Sequence, residues 1–97
     1  MKDTLTIGGY VEATAGHDSG KYYVILQIDG EYVYLVDGKI RTLDRPKKKK
    51  SIHIRVLSEN NQELAERVRS GKVRNEEIKR AIKQLNAKKS VYGGETL

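Results

Sequence analysis

The chain has no cysteine, tryptophan or phenylalanine, and only one proline and one methionine. Without cysteine it has no disulfide framework, no thiolate zinc site and no cysteine nucleophile. Long aliphatic runs are also missing. The longest, Val24 to Leu26, is far too short to span a bilayer. The first residues, Met1-Lys2-Asp3-Thr4-Leu5, lack the apolar core of a secretion signal, so a cytoplasmic location is expected. His17 and His53 alone do not make a metal set, and no H-E-x-x-H spacing occurs. No metal, no other cofactor and no membrane partner are expected.

What remains is short and basic. The 97 residues suit a single small domain, and 37% hydrophobic content supplies one modest core rather than two. Nineteen Lys and Arg against thirteen Asp and Glu give a net charge of +6, which favours polyanionic partners. The charge is uneven. Residues 1–45 hold five basic and seven acidic groups, residues 46–57 five basic and none acidic, and residues 58–97 nine and six. The excess therefore lies in one short segment and in the C-terminal part.

The character of the chain changes near residue 58, dividing it into 1–57 and 58–97. Before the change, β-branched residues, tyrosines and glycines dominate. Strands are expected over Tyr10–Thr14, Tyr22–Ile28, Tyr32–Val36, Lys39–Leu43 and Ile52–Leu57. Asp29-Gly30 and Asp37-Gly38 read as tight hairpin turns, and Pro46 as the end of the fourth strand. Ile52, Ile54 and Val56 alternate with His53 and Arg55, which implies one buried and one basic face. Five short strands suit a small, strongly bent barrel of SH3-like size.

The second part reads as two helices. Asn60 with Glu63 resembles a capping box, with Leu64, Ala65 and Val68 as the apolar side and Gly71 as the stop. Asn75 is the next expected N-cap, and Ile78, Ala81, Ile82 and Leu85 share one face of the helix that follows. Frayed structure is expected from Lys88 to Leu97.

Lys47-Lys48-Lys49-Lys50 is the strongest feature. Four adjacent like charges repel one another, so fold stability does not account for them, whereas each can neutralise a phosphate. Arg45 precedes the run and His53 and Arg55 follow it. Gly16-His17-Asp18-Ser19-Gly20-Lys21 has glycines at its ends but not Walker-loop spacing, and a strand rather than a helix follows. It leaves a hairpin loop whose His17, Ser19 and Lys21 can donate to phosphate or a base edge. His17, Asp18 and Ser19 are too close in sequence to converge as a hydrolase triad, so an enzyme is not expected. Tyr22 and Tyr23 point to opposite faces of their strand, leaving one ring available for stacking on a base. Tyr32 and Tyr34 share a face, and the sequence leaves open whether that face is core or surface.

Gly16-x-x-x-Gly20-Lys21 followed by Tyr22-Tyr23-Val24-Ile25-Leu26 resembles the KOW motif, a strand–loop–strand of SH3-like barrels in ribosomal proteins and NusG-type transcription factors. Val36-Asp37-Gly38-Lys39-Ile40-Arg41 through Pro46 and the lysine run is similar to small bacterial KOW-domain RNA-binding proteins related to the fourteen-e class of large-subunit ribosomal proteins. The resemblance covers residues 6–57 and implies binding to RNA, ribosomal RNA above all, through His17, Ser19 and Lys21, with Arg41 and Arg45 in support. The resulting expectation is a mainly β SH3-like barrel with two C-terminal helices: a monomeric, non-catalytic, ribosome-associated RNA-binding protein. His17, Ser19, Lys21, Tyr22, Arg41, Arg45, Lys47 to Lys50, His53 and Arg55 form its site. The alternative is a protein-interaction module that engages a ribosomal or other acidic protein. Asp18 would repel phosphate unless it braces the loop.

Overall fold

A computed structural model describes the backbone of residues 4–94 and the side chains of residues 4–89. Five antiparallel strands form one sheet in the order β4-β3-β2-β1-β5. They are β1 (Tyr10–Ala13), β2 (Tyr22–Asp29), β3 (Tyr32–Val36), β4 (Lys47–Lys50) and β5 (Ile54–Val56), followed by helices α1 (Gln62–Arg69) and α2 (Asn75–Gly94). The edge strands β4 and β5 do not pair with each other, so the sheet is open rather than closed into a barrel.

The β2–β3 hairpin is where the sequence places it, but its turn is displaced by one residue. Asp29 pairs with Tyr32, so Gly30 and Glu31 are the central residues. Only Gly30 has positive φ, as the first position of a II′ turn requires.

Asp37-Gly38 makes no hairpin, and Lys39–Leu43 is not a strand. The Asp37 carboxylate accepts from the backbone N–H groups of Lys39, Ile40 and Arg41 at 2.9, 3.0 and 2.9 Å. Those donors therefore cannot join a ladder, and the chain coils into a loop. The fourth strand is the lysine run itself, which Pro46 precedes rather than interrupts. Its register sets Lys47 opposite Leu35, Lys48 opposite Tyr34, Lys49 opposite Val33 and Lys50 opposite Tyr32. A short 3₁₀ turn, Ser51–His53, then takes up Ile52, which is 74% exposed, so β5 starts only at Ile54.

Two apolar clusters form where composition implied one, because the helices cover part of the sheet's outer face as well. Val11, Ala13, Tyr23, Ile25, Val33 and Leu35 pack on the inner face, with Ile54 and Val56 against them. Tyr10, Val24 and Val36 face the opposite way and pack with Leu64, Val68, Val73, Ile78, Ala81, Ile82 and Leu85 of the helical part. Burying a side chain of this size contributes ~1.5–3 kcal/mol. The helices are therefore held to the sheet by several such contacts, and residues 58–89 share a core with residues 1–57.

Two glycines set how closely the helices approach. Gly8 has φ +90°, and a β-carbon there would lie 2.5 Å from the Ala65 Cα on α1. Gly38 has φ +80°, and its β-carbon would meet the Asn75 carbonyl oxygen and lie 2.5 Å from the Lys79 nitrogen on α2.

The helix caps differ slightly from expectation. Asn61 rather than Asn60 caps α1, its side chain accepting from the Leu64 N–H at 3.0 Å. Asn75 begins α2, but its side-chain oxygen accepts from the Leu43 N–H at 2.9 Å, which fastens the loop to the helix. The α2 backbone is helical to Gly94, past the point where fraying was expected; residues 95–97 of that tail lie outside the described residues. No helix among the described residues is long and apolar enough to cross a membrane.

Candidate nucleic-acid interface

Strand alternation divides the lysine run into two pairs with different surroundings. Lys47 and Lys49 point to the inner side, toward the 3₁₀ turn Gly16–Asp18. There the Lys47 ammonium lies 2.8 Å from the Asp18 carboxylate, and Lys49 donates to the Ala15 carbonyl at 3.1 Å. These two lysines fasten the edge strand to the glycine-bounded loop. Asp18 thus joins that loop to β4.

The Lys47 hydrogen bond holds the Asp18 carboxyl below its ordinary value, while burial and the Asp18 charge push the Tyr23 hydroxyl up to about 12. Because the folded Asp18 value lies below the unfolded one, the contact stabilises fully above pH ~4 and is lost as pH falls through the folded value. Lys47→Gln is expected to return the Asp18 titration, followed by carboxyl NMR shifts, toward the ordinary value. An unchanged titration would contradict the contact.

Lys48 and Lys50 point to the outer face, where both are exposed. Their cross-strand partners there are Tyr34 and Tyr32, and the Lys48 ammonium sits 4.5 Å from the centre of the Tyr32 ring. Tyr32 and Tyr34 are half-buried, with Asp29 and Gln27 opposite them on β2. Val24 and Val36, on the same face, lie in the cluster that the helices complete. One end of the outer face is thus covered by helices, and the other presents two tyrosine rings bordered by two ammonium groups that form no ion pair among the described residues. A π-face beside a cation, half open to solvent, can stack a base and neutralise its phosphate. Lysines on an edge strand also discourage strand addition, but that role does not require tyrosines beneath them.

The other predicted residues are dispersed. His17 and Ser19 are exposed on the loop next to the Asp18–Lys47 pair. Tyr23 is 2% exposed in the inner cluster, and Tyr22, the outward member of the doublet, packs partly against the helical cluster. Lys21 and Tyr22 face α2 across a groove. The Arg41 backbone is engaged with Asp37, and Arg45 is exposed in the loop before β4. The His53 carbonyl accepts from the Thr14 N–H at 2.9 Å, with its ring exposed. Arg55 is paired with Glu12 across β1 and β5, so it is not a free phosphate donor.

The structure therefore does not gather the predicted strip from Arg45 to Arg55 on one surface. Tyr32 and Tyr34 were absent from the predicted site. The signal that would have found them is the two-residue spacing of Tyr32 and Tyr34, which sets them opposite Lys50 and Lys48 once the lysine run is recognised as a strand. Among known proteins, neither a family model nor a curated protein matches this chain.

Proposed function

We propose that the protein is a non-catalytic RNA-binding domain that takes unpaired nucleotides on the outer sheet face, at Tyr32, Tyr34, Lys48 and Lys50. The observation that carries this reading is the juxtaposition of two half-open tyrosine rings with two outward lysines, one lying 4.5 Å over a ring. Stacking tolerates any base, so affinity would come from the rings and the phosphates rather than from base-edge readout. RNA is favoured over DNA by the resemblance of residues 6–57 to KOW-domain proteins of the ribosome. The strand order, in which β5 returns beside β1, and the filled inner face support the SH3-like part of that reading. Association with ribosomal or other structured RNA belongs to the same proposal.

The division of the lysines gives the test. With a single-stranded RNA target, Lys48→Gln with Lys50→Gln is expected to reduce the slope of log K against log salt by ~1.4, two phosphates at about 0.7 each. Lys47→Gln with Lys49→Gln is expected to leave that slope unchanged, because those ammonium groups are engaged with the loop. Equal losses from the two pairs would remove the tyrosine–lysine face from the account. Partners that survive ribonuclease in a crosslinking pull-down, with no RNA recovered, would instead favour an acidic protein partner.

A further inference from the structure

Lys48 and Lys50 are not the only lysines held close together without a carboxylate partner among the described residues. A groove of about 580 Å³ runs between the start of β2, the loop after β3 and helix α2. Lys21, Lys39, Lys79 and Lys83 line it from these three segments, together with Tyr22 and Asn86. All four lysines are exposed, and among the described residues none takes part in an ion pair. By contrast, Lys89 of the same helix is paired with Glu59 at 2.8 Å. Asp37 also lines the groove, but one of its oxygens accepts three backbone N–H groups of its own loop.

This placement opposes local helix stability. Lys79 and Lys83 are four residues apart on one helix face, a like-charged spacing that weakens a helix. Gly38 holds α2 directly against the loop that carries Lys39, so the convergence is built into the fold rather than left to flexible side chains.

We infer that this groove is a second phosphate-binding site that takes the ribose-phosphate backbone of the RNA whose bases stack on Tyr32 and Tyr34. The inference rests on the RNA-binding reading. Tyr32 begins β3 and Asp37 follows its end, so the two sites lie at opposite ends of that strand, ~13–17 Å apart at 3.3 Å per residue. A strand bound at both must extend beyond the few nucleotides that one face can hold. Tyr22, partly open in the groove, offers a further surface for a base or ribose along that path.

The test uses the full chain with oligouridylates of about four and about sixteen nucleotides, which span the site sizes known for OB folds, another small β-fold that binds single strands. Lys79→Gln with Lys83→Gln is expected to reduce the salt slope for the longer RNA by ~1.4 and to leave binding of the shorter one unchanged. Both substitutions are at exposed positions, and a thermal midpoint that does not fall establishes that the fold is intact. An unchanged slope for the longer RNA, with wild-type affinity retained, would overturn the groove while leaving the tyrosine face standing. Failure of the wild-type chain to bind either RNA would overturn the RNA reading itself, and the groove with it. Inorganic polyphosphate, which has no bases, supplies a separate arm. Its affinity should fall in the Lys79→Gln, Lys83→Gln variant and hold in a Tyr32→Ala, Tyr34→Ala variant. The reverse order would contradict the assignment.

Discussion

Gly38→Ala is expected to lower the unfolding free energy by ~2–6 kcal/mol, measured by chemical denaturation. Two costs combine at this position. A non-glycine residue at φ +80° is strained by ~1–3 kcal/mol. Its β-carbon also meets backbone atoms of Asn75 and Lys79, which cannot rotate away as a side chain would. Overpacking of that kind adds ~1–3 kcal/mol. Gly20→Ala is the control: its φ is +90°, but nothing lies within 4 Å of the added carbon, so it should show the strain alone. Equal losses at the two positions would mean that α2 does not rest on this loop. Because α2 supplies Ile78, Ala81, Ile82 and Leu85 to the outer cluster, a displaced helix also exposes Val24 and Val36.

The largest functional effect is expected from Tyr32→Ala combined with Tyr34→Ala. Loss of two stacking platforms at ~1–3 kcal/mol each weakens single-stranded RNA binding by ~2–6 kcal/mol, roughly 30-fold or more in Kd. Both rings are half-exposed and belong to neither buried cluster, so the fold is expected to survive. Phenylalanine at both positions preserves the π-face and should preserve most of the affinity. Alanine variants that bind as wild type does would show that the rings take no part. Phenylalanine variants as weak as alanine would shift the role from stacking to the hydroxyl groups.

Much of the fold was legible from local pattern. The apolar stripe of α2 at Ile78, Ala81, Ile82 and Leu85 is buried as its spacing implies, and β1, β2 and β3 lie within about a residue of their expected bounds. What misled was chemistry that competes with the ladder. Asp37 draws three N–H groups to its own side chain, so a β-rich stretch becomes a loop. The lysine run, with nothing apolar to mark its two faces, is a strand because Tyr32 to Leu35 pair with it. Its alternation then changes the function assigned to each lysine: two brace the loop and two face solvent over tyrosines. The run therefore offers two ammonium groups to the outer face rather than four. The second cluster was missed for a related reason. Composition counts apolar residues but does not show that β2 is covered on both faces, with Tyr23 and Ile25 inward and Val24 outward.

The most direct measurement is ultraviolet crosslinking of the full chain to a uniformly labelled single-stranded RNA, with the attached residues located by peptide mass spectrometry. Crosslinks at Tyr32 and Tyr34 are predicted, with additional ones at Tyr22 only for RNA long enough to enter the groove beside α2. Crosslinks confined to the His17–Lys21 loop, with none on β3, would contradict the claim that the outer sheet face binds RNA.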